Sequence, residues 1–361
     1  MKILVLNCGS TSIKFELFEN EKSLCEGLIE DIQKPISKVT FDGKKNIEKI
    51  DSYRKGLKFM RDILLKSKTV RSLDEIKAVG HRVVHGGKFS KSVVINKNVL
   101  KEIKKNIHLA PLHNPANIKG IEMMQKELPK AKHIAVFDTA FHQTMPEKAF
   151  MYAIPYTLYK KYGIRKYGFH GTSHKYVAIQ SAKALKKPLN KLNLITCHLG
   201  GGCSICAIKK GISIDTSMGF TPLEGLMMTT RSGDIDPAVI FYLHKEKKMK
   251  IEKIEEMLNK KSGIKGISGQ AGMKEALEKA KKGHKLSKLA VDMFMYRLQK
   301  YIGAYITILG CVDAIILTAG IGEKSKEIRK KIKKAFPRIK ILVIPTDEEK
   351  MIAIETKTIV K

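Results

Sequence analysis

At 361 residues with 43% hydrophobic content, the chain is long enough for about two domains, each with its own core. Basic residues outnumber acidic ones 68 to 35, a net charge of +33, yet 59 of them are lysines spread along helix faces such as 101–105 and 330–334. Only nine are arginine, the usual reader of bases and phosphates, which argues against a nucleic-acid surface or a non-enzymatic polyanion binder and for a solvated coat that attracts anionic nucleotides.

Residues 2–6 form an apolar β-type run, 7–12 a polar turn rich in hydroxyls, and 13–18 an alternating strand carrying Lys14. Small hydroxyls, backbone N–H groups and a lysine suit phosphate oxygens. After Met1-Lys2 only four apolar residues precede Asn7, too few for a signal-peptide core, so a cytoplasmic protein is expected. More strand character lies at 39–41, and 51–66 is helical in pattern. Residues 78–87 read as a strand that ends in glycines and carries Arg82 in an apolar context, where a guanidinium needs an anionic partner. A helix is expected over 98–106. In the loop 109–115, Asn114 reads as the cap of a helix with Pro115 at its first position. The strand 133–137 delivers Asp138 at its C-terminal end, where ligand groups gather in α/β sheets.

Pro146 and Pro155 mark a crossover into a second domain. The Gly-bounded loop 167–174 leads into a helix over 173–185. The stretch 194–205 reads as a buried strand, the turn Gly200-Gly201-Gly202 and a second strand; such a turn lets N–H groups approach an anion closely. Arg231 follows in the polar loop 229–234. A phosphate cradle followed by a lone guanidinium suggests phosphoryl transfer, whereas the turn alone suits any tight hairpin. Cys203 and Cys206 have C-x-x-C spacing, but positions three apart on a strand face opposite sides, and six cysteines in a chain this long make no disulfide framework. His170, His174 and His198 lack an acidic or thiol third ligand for zinc. Helices are expected at 251–261, 273–282 and 286–309. Glycines and Asp313 interrupt the apolar stretch 301–322, so it reads as a helix end and a buried strand, not a membrane span. The strand 339–344 precedes a terminal helix expected to pack on the first domain. The chain has no G-x-x-x-x-G-K-[ST] motif, and inspection reveals no internal repeat.

Taken together, the segments 7–14, 80–87, 109–117, 135–146, 167–174, 196–202, 231–237 and 318–323 resemble, in order and over nearly the whole chain, the acetate kinase (acetokinase) family, of the superfamily of actin, sugar kinases and heat-shock ATPases. The resemblance implies an α/β, two-domain actin-like ATPase (ribonuclease H-like) fold, with mixed sheets flanked by helices and a cleft between domains. The domains are expected at 1–145 with 346–361, and at 146–345.

It further implies Mg²⁺-dependent (alternatively Mn²⁺-dependent) reversible transfer between ATP and acetate, giving ADP and acetyl phosphate, by a cytoplasmic homodimer without nucleic-acid or membrane partners. Asp138, His170 and Arg231 match the catalytic trio. Arg82 matches the arginine for the substrate carboxylate, and Val84, Leu112, Phe169 and Pro222 the pocket for the methyl group. Ser10, Ser12 and Lys14 form the first phosphate element, and His198, Leu199, Gly200, Gly201 and Gly202 the second. Gly272, Met273, Lys274, Gly320, Ile321, Gly322, Glu323 and Lys324 fall on the nucleoside side, and Asn7 and Glu348 on the magnesium positions.

The chain departs from the family pattern at Gly201 and Lys324, where Asn is usual, and at 272–274, where an Asp-x-Arg is usual. It is also shorter than most members. Two rival readings are a propionate or butyrate kinase, with Val84 as the discriminating residue, and an actin-like ATPase. A water nucleophile has no use for the carboxylate clamp formed by Arg82 and Arg231.

Overall fold

The computed structural model describes residues 1–111 and 113–361. They divide into two compact units, Met1–Phe141 with Asp347–Lys361, and His142–Thr346.

The first unit holds eight strands: β1 (Lys2–Cys8), β2 (Ile13–Glu19), β3 (Lys22–Glu30), β4 (Ser37–Phe41), β5 (Lys44–Glu48), β6 (Ile76–Val83), β7 (Val93–Val94) and β8 (Lys132–Phe137). They form one sheet in the order β5-β4-β3-β2-β1-β6-β8-β7. β1 and β2 are the expected antiparallel hairpin, pairing Lys2 with Glu19 through to Cys8 with Ile13. β6 and β8 continue from β1 in parallel.

Alternate side chains of β1 serve two cores, as the period-2 pleat requires. Leu4 and Leu6 pack with Leu57, Met60 and Leu64 of the helix Tyr53–Lys66, whose first turn is capped by Ser52. Ile3 and Val5 pack with Ile352 and Ala353 of the helix Glu348–Val360. Central parallel strands need both faces covered, so the terminal helix belongs to this unit, as expected. It approaches closely at Gly80, where a Cβ would lie 2.4 Å from Thr356 Oγ1 and 2.7 Å from Ile352 Cγ2.

The second unit holds β9 (Asn193–Leu199), β10 (Cys203–Lys209), β11 (Ile212–Thr216), β12 (Ala314–Thr318) and β13 (Ile341–Val343), in the order β11-β10-β9-β12-β13. β10 is antiparallel to β9 and β11, and β12 runs parallel to both β9 and β13. The helices Gly171–Leu185 and Lys285–Leu309 pack on this sheet. The stretch 301–322 is a helix end followed by a fully buried strand, and no helix among the described residues is long and apolar enough to cross a membrane.

Two expectations change. The order β3-β2-β1-β6-β8 has the same pairing senses as β11-β10-β9-β12-β13, two antiparallel and then two parallel, so the topology is repeated although no sequence repeat is visible. Asn114 lies inside the helix Asn114–Glu127 and does not cap it: its Oδ1 accepts from His85 N and its Nδ2 donates to His85 O, both at 3.1 Å. The backbone N–H and C=O of His85 compete successfully for that amide.

Gly80→Ala will force the terminal helix away from β6. We expect a loss of about 1–3 kcal/mol in urea unfolding, with the midpoint shifted and the slope unchanged. An unaltered midpoint would show that the helix shifts at no cost.

Candidate active site

In the first unit the C-terminal ends of the parallel strands collect the polar residues. β1 ends near Asn7, β6 carries Arg82 and β8 runs into Asp138. Arg82 donates from Nη2 to Asp138 Oδ2 at 2.6 Å and from Nε to both carboxylate oxygens at 3.2 Å. Its Nη1 donates to Asn7 Oδ1 at 3.3 Å. Burial works against the guanidinium charge, but Asp138 and then Glu348 outweigh it, and the Arg82 pKa is raised. The anionic partner demanded by the sequence is therefore Asp138. Burial raises the pKa of Glu348, while Arg82 opposes the rise.

Val84 is buried one residue beyond β6, and its N–H donates to Asn117 Oδ1 at 3.1 Å. Asn117 Nδ2 donates to Cys8 O at 2.8 Å, so Asn117 splices Val84 to β1 while Asn114 ties His85 to the same helix. Asn117 went unassigned in the sequence; two asparagines one helical turn apart after a Pro-bounded loop were the available signal. Leu112 lies outside the described residues.

At the hairpin tip Gly9 N donates to Ser12 O, with Ser10 exposed and Ser12 half-buried. Lys14 Nζ pairs with Glu349 at 2.7 Å. Among the described residues, Glu16, Asp347 and Glu349 form the one group of three carboxylates close enough to share an ion. Burial pushes the Glu16 carboxyl up to about 7, Ser23 opposes the rise, and Asp347 and Glu349 add to it. This cluster also went unread, because Glu16 is over 300 residues from Asp347 and Glu349 in sequence.

In the second unit β9 delivers His198 and Leu199 to the glycine turn. Gly200 N donates to Gly202 O at 3.1 Å, and Thr229 N donates to Gly201 O at 3.1 Å. A Cβ at Gly201 meets nothing within 4 Å, so the exchange of Asn for Gly there removes an amide without altering the turn's packing. A Cβ at Gly202 would lie 3.3 Å from Arg231 Nη1 and 3.5 Å from His170 Cε1, which places the arginine and the imidazole beside the turn. Arg231 Nη1 donates to Pro222 O at 3.2 Å, and burial lowers the Arg231 pKa. Its loop is held by Asp234, whose carboxylate accepts from Gly225 N at 2.7 Å and Tyr301 OH at 2.6 Å, and whose carbonyl accepts from Arg297 at 2.8 Å. These anchors, too, were not assigned from the sequence.

His170 sits in the left-handed region, at φ +56°, at the start of the helix Gly171–Leu185. Its ring stacks on that of His198, with centroids 4.1 Å apart. Phe169 and its neighbour Tyr167 are buried. Glu323 Oε1 accepts from Ala319 N at 2.7 Å and Thr346 N at 3.1 Å, so this carboxylate fastens the 318–324 turn to the chain after β13. Gly320 and Lys324 are exposed. The Met273 side chain is buried, so at 272–274 only Lys274 and the backbone face outward.

Strand-end cations, a glycine turn with an adjacent guanidinium and a repeated mixed sheet define a phosphotransferase of the actin-like, ribonuclease H-like fold. Residues 2–354 match the acetokinase family, and the chain belongs to it. The chain is 49% identical to the acetate kinase of Caldicellulosiruptor saccharolyticus over 398 aligned positions, covering all of both chains. The crystal structure of Porphyromonas gingivalis acetate kinase superposes with a TM-score of 0.94 at 40% identity, over the whole of both chains. That of a propionate kinase from Francisella tularensis does so with 0.94 at 46% identity, over 99% of each.

Because the folded-state pKa of Glu16 is raised above the ordinary 4.5, its ionised form opposes folding above about 7, and the cost vanishes below about 4.5. Without nucleotide or divalent ions, Glu16→Gln should be more stable than wild type by about 2–3 kcal/mol at pH 8. The gap should close as pH falls through this window. Denaturant titrations that give a pH-independent gap would contradict the assignment.

Proposed function

We propose that the protein catalyses reversible phosphoryl transfer between ATP and acetate, giving acetyl phosphate and ADP, by direct in-line transfer. The observation that carries this reading is the half-buried Arg82 guanidinium, held by Asp138 two residues before the buried Val84: a carboxylate clamp beside an apolar wall. Full-length identity to an acetate kinase supports it.

Acetate is ionised at neutral pH, so it needs no general base. The chemical difficulty is bringing one anion up to another. Arg82 binds the acetate carboxylate, and Val84, Leu112, Phe169 and Pro222 receive its methyl group. Ser10, Ser12, Lys14 and the turn at Gly200–Gly202 hold phosphate oxygens. Gly272–Lys274 and Gly320–Lys324 border the nucleoside. Arg231 stabilises charge on the transferring phosphoryl group, His170 donates a hydrogen bond to it, His198 belongs to the second phosphate element, and Asp138 orients Arg82.

The oxygens of Asn7 and Glu348 are hard donors that suit Mg²⁺ or Mn²⁺, and both lie with Arg82 in the same cluster. Bound there, the ion supplies neutralisation of phosphate charge. The helix Ala238–Lys245 has no buried residue and exposes Val239, Phe241 and Tyr242, which supports a homodimer. Six free cysteines suit the reducing cytoplasm.

The propionate kinase at 46% identity favours a second reading, the same chemistry on a longer acid. Trapping the acyl phosphate with hydroxylamine across short-chain carboxylates tests both. Hydroxamate from acetate supports the first reading; ATP hydrolysis without hydroxamate overturns both. Val84→Ala should move relative kcat/KM toward propionate by roughly ten- to a hundred-fold, and an unchanged ratio would remove Val84 from the acyl pocket. Arg231→Ala should lower kcat by about 10²–10³-fold, equivalent to about 2.7–4 kcal/mol, with ATP binding retained. Arg82→Ala should instead act largely on the KM for acetate. Wild-type values in either variant would refute its role.

A further inference from the structure

A line of hydrogen bonds runs behind His170 through the core of the second unit. His170 Nδ1 lies 2.9 Å from Ser204 Oγ. The same hydroxyl lies 2.8 Å from His174 Nε2, and His174 Nδ1 lies 2.7 Å from Thr196 Oγ1. Ser204, His174 and Thr196 are all fully buried. Burial holds the His174 pKa well below its ordinary value, so this ring is neutral and carries a single N–H. Each hydroxyl has one proton. The line can therefore be ordered in only two directions.

The far end chooses between them. If Thr196 donates to His174 Nδ1, then His174 Nε2–H donates to Ser204, and Ser204 donates to His170 Nδ1. Every proton has an acceptor. In the reverse order His174 donates to Thr196, and the Thr196 hydroxyl proton is left buried with no acceptor among the described residues, at a cost of about 1–3 kcal/mol. The first direction leaves His170 with its proton on Nε2. A parallel, shorter arrangement stands behind the stacked ring: His198 Nδ1 lies 2.8 Å from Ser173 Oγ, which lies 2.7 Å from Thr346 Oγ1.

We infer that Thr196, His174 and Ser204 are positioning residues that order the protons behind His170 and hold it in its Nε2–H tautomer, so that it meets a phosphoryl oxygen as a hydrogen-bond donor. The tautomer of one ring nitrogen is set by the hydrogen bond at the other. With Nδ1 occupied by a serine hydroxyl, the ring cannot turn a lone pair toward the anion without stranding a proton in the core. The functional part of this inference rests on the role given to His170 above; the tautomer itself does not.

The test uses full-length protein labelled with ¹⁵N-histidine, with long-range ¹H–¹⁵N correlation spectra read in parallel with steady-state kinetics. His170→Gln identifies the His170 signals. Wild type should show His170 protonated at Nε2 and unprotonated at Nδ1. Ser204→Ala should mix the tautomers and lower kcat on the order of ten-fold, with KM for ATP and acetate held within about two-fold. Ser204→Thr, which keeps the hydroxyl, should restore both readouts. Thr196→Val touches neither His170 nor substrate, yet it removes the donor that sets the direction, and it should shift the His170 tautomer as well. Unchanged Nε2–H signals in both Ser204→Ala and Thr196→Val would overturn the inference. If His170→Gln leaves kcat unaltered, the catalytic role of His170 fails, while the tautomer spectra still decide whether the hydroxyls order its protons.

Discussion

A guanidinium taken out of water must have an anion beside it, and the first unit is arranged around that constraint. Arg82 is directed to Asp138 and Asn7 from the end of a central parallel strand. For the three to meet, β1, β6 and β8 must be neighbours and must run the same way. For those strands to be central, both sheet faces must be covered, which brings the terminal helix onto the second face. That helix delivers Glu348 to the same charge cluster. The terminal helix thus joins the charge cluster at the ends of β1, β6 and β8.

In the second unit Arg231 meets an analogous demand with no ion pair of its own among the described residues. Arg231 has carbonyl and thioether neighbours rather than a carboxylate, and burial weakens its hold on its proton. A cation kept without its own anion is available to an incoming anion, which is what the role proposed for Arg231 needs. The loop tolerates this because Asp234, Tyr301 and Arg297 fasten its backbone from behind. Hydroxyls of Ser204, Ser173 and Thr196 do the corresponding work for the imidazoles.

The departures from the family pattern fall where the structure is permissive. Gly201 faces open space, and Lys274 and Lys324 are exposed. The alignment of 398 positions against 361 residues shows that the chain also lacks segments that its Caldicellulosiruptor saccharolyticus relative has. None of this touches the strand ends, where a change of one side chain would leave a buried charge or donor unpaired.

Strand and helix identities were legible because apolar periodicity is local: the hairpin at Asn7–Lys14, the buried strand before Gly320 and the helix ending at Leu309 all follow from residues within a few positions of one another. The need of Arg82 for an anion was equally plain, since it follows from burial alone. Which anion it took was decided by strand order, and no period in the sequence encodes that. Asn114 satisfied the local rule for a helix cap, yet it bonds to His85, because the fold brought that backbone within reach. The repeated sheet left no trace at the level of residues, because many apolar alternations build the same ladder. Glu16 with Asp347 and Glu349, and Thr196 with His174 and Ser204, came together only through the fold. Their chemistry depends on distances of about 3–5 Å between residues that chain position keeps far apart, and only a closed tertiary structure determines such distances.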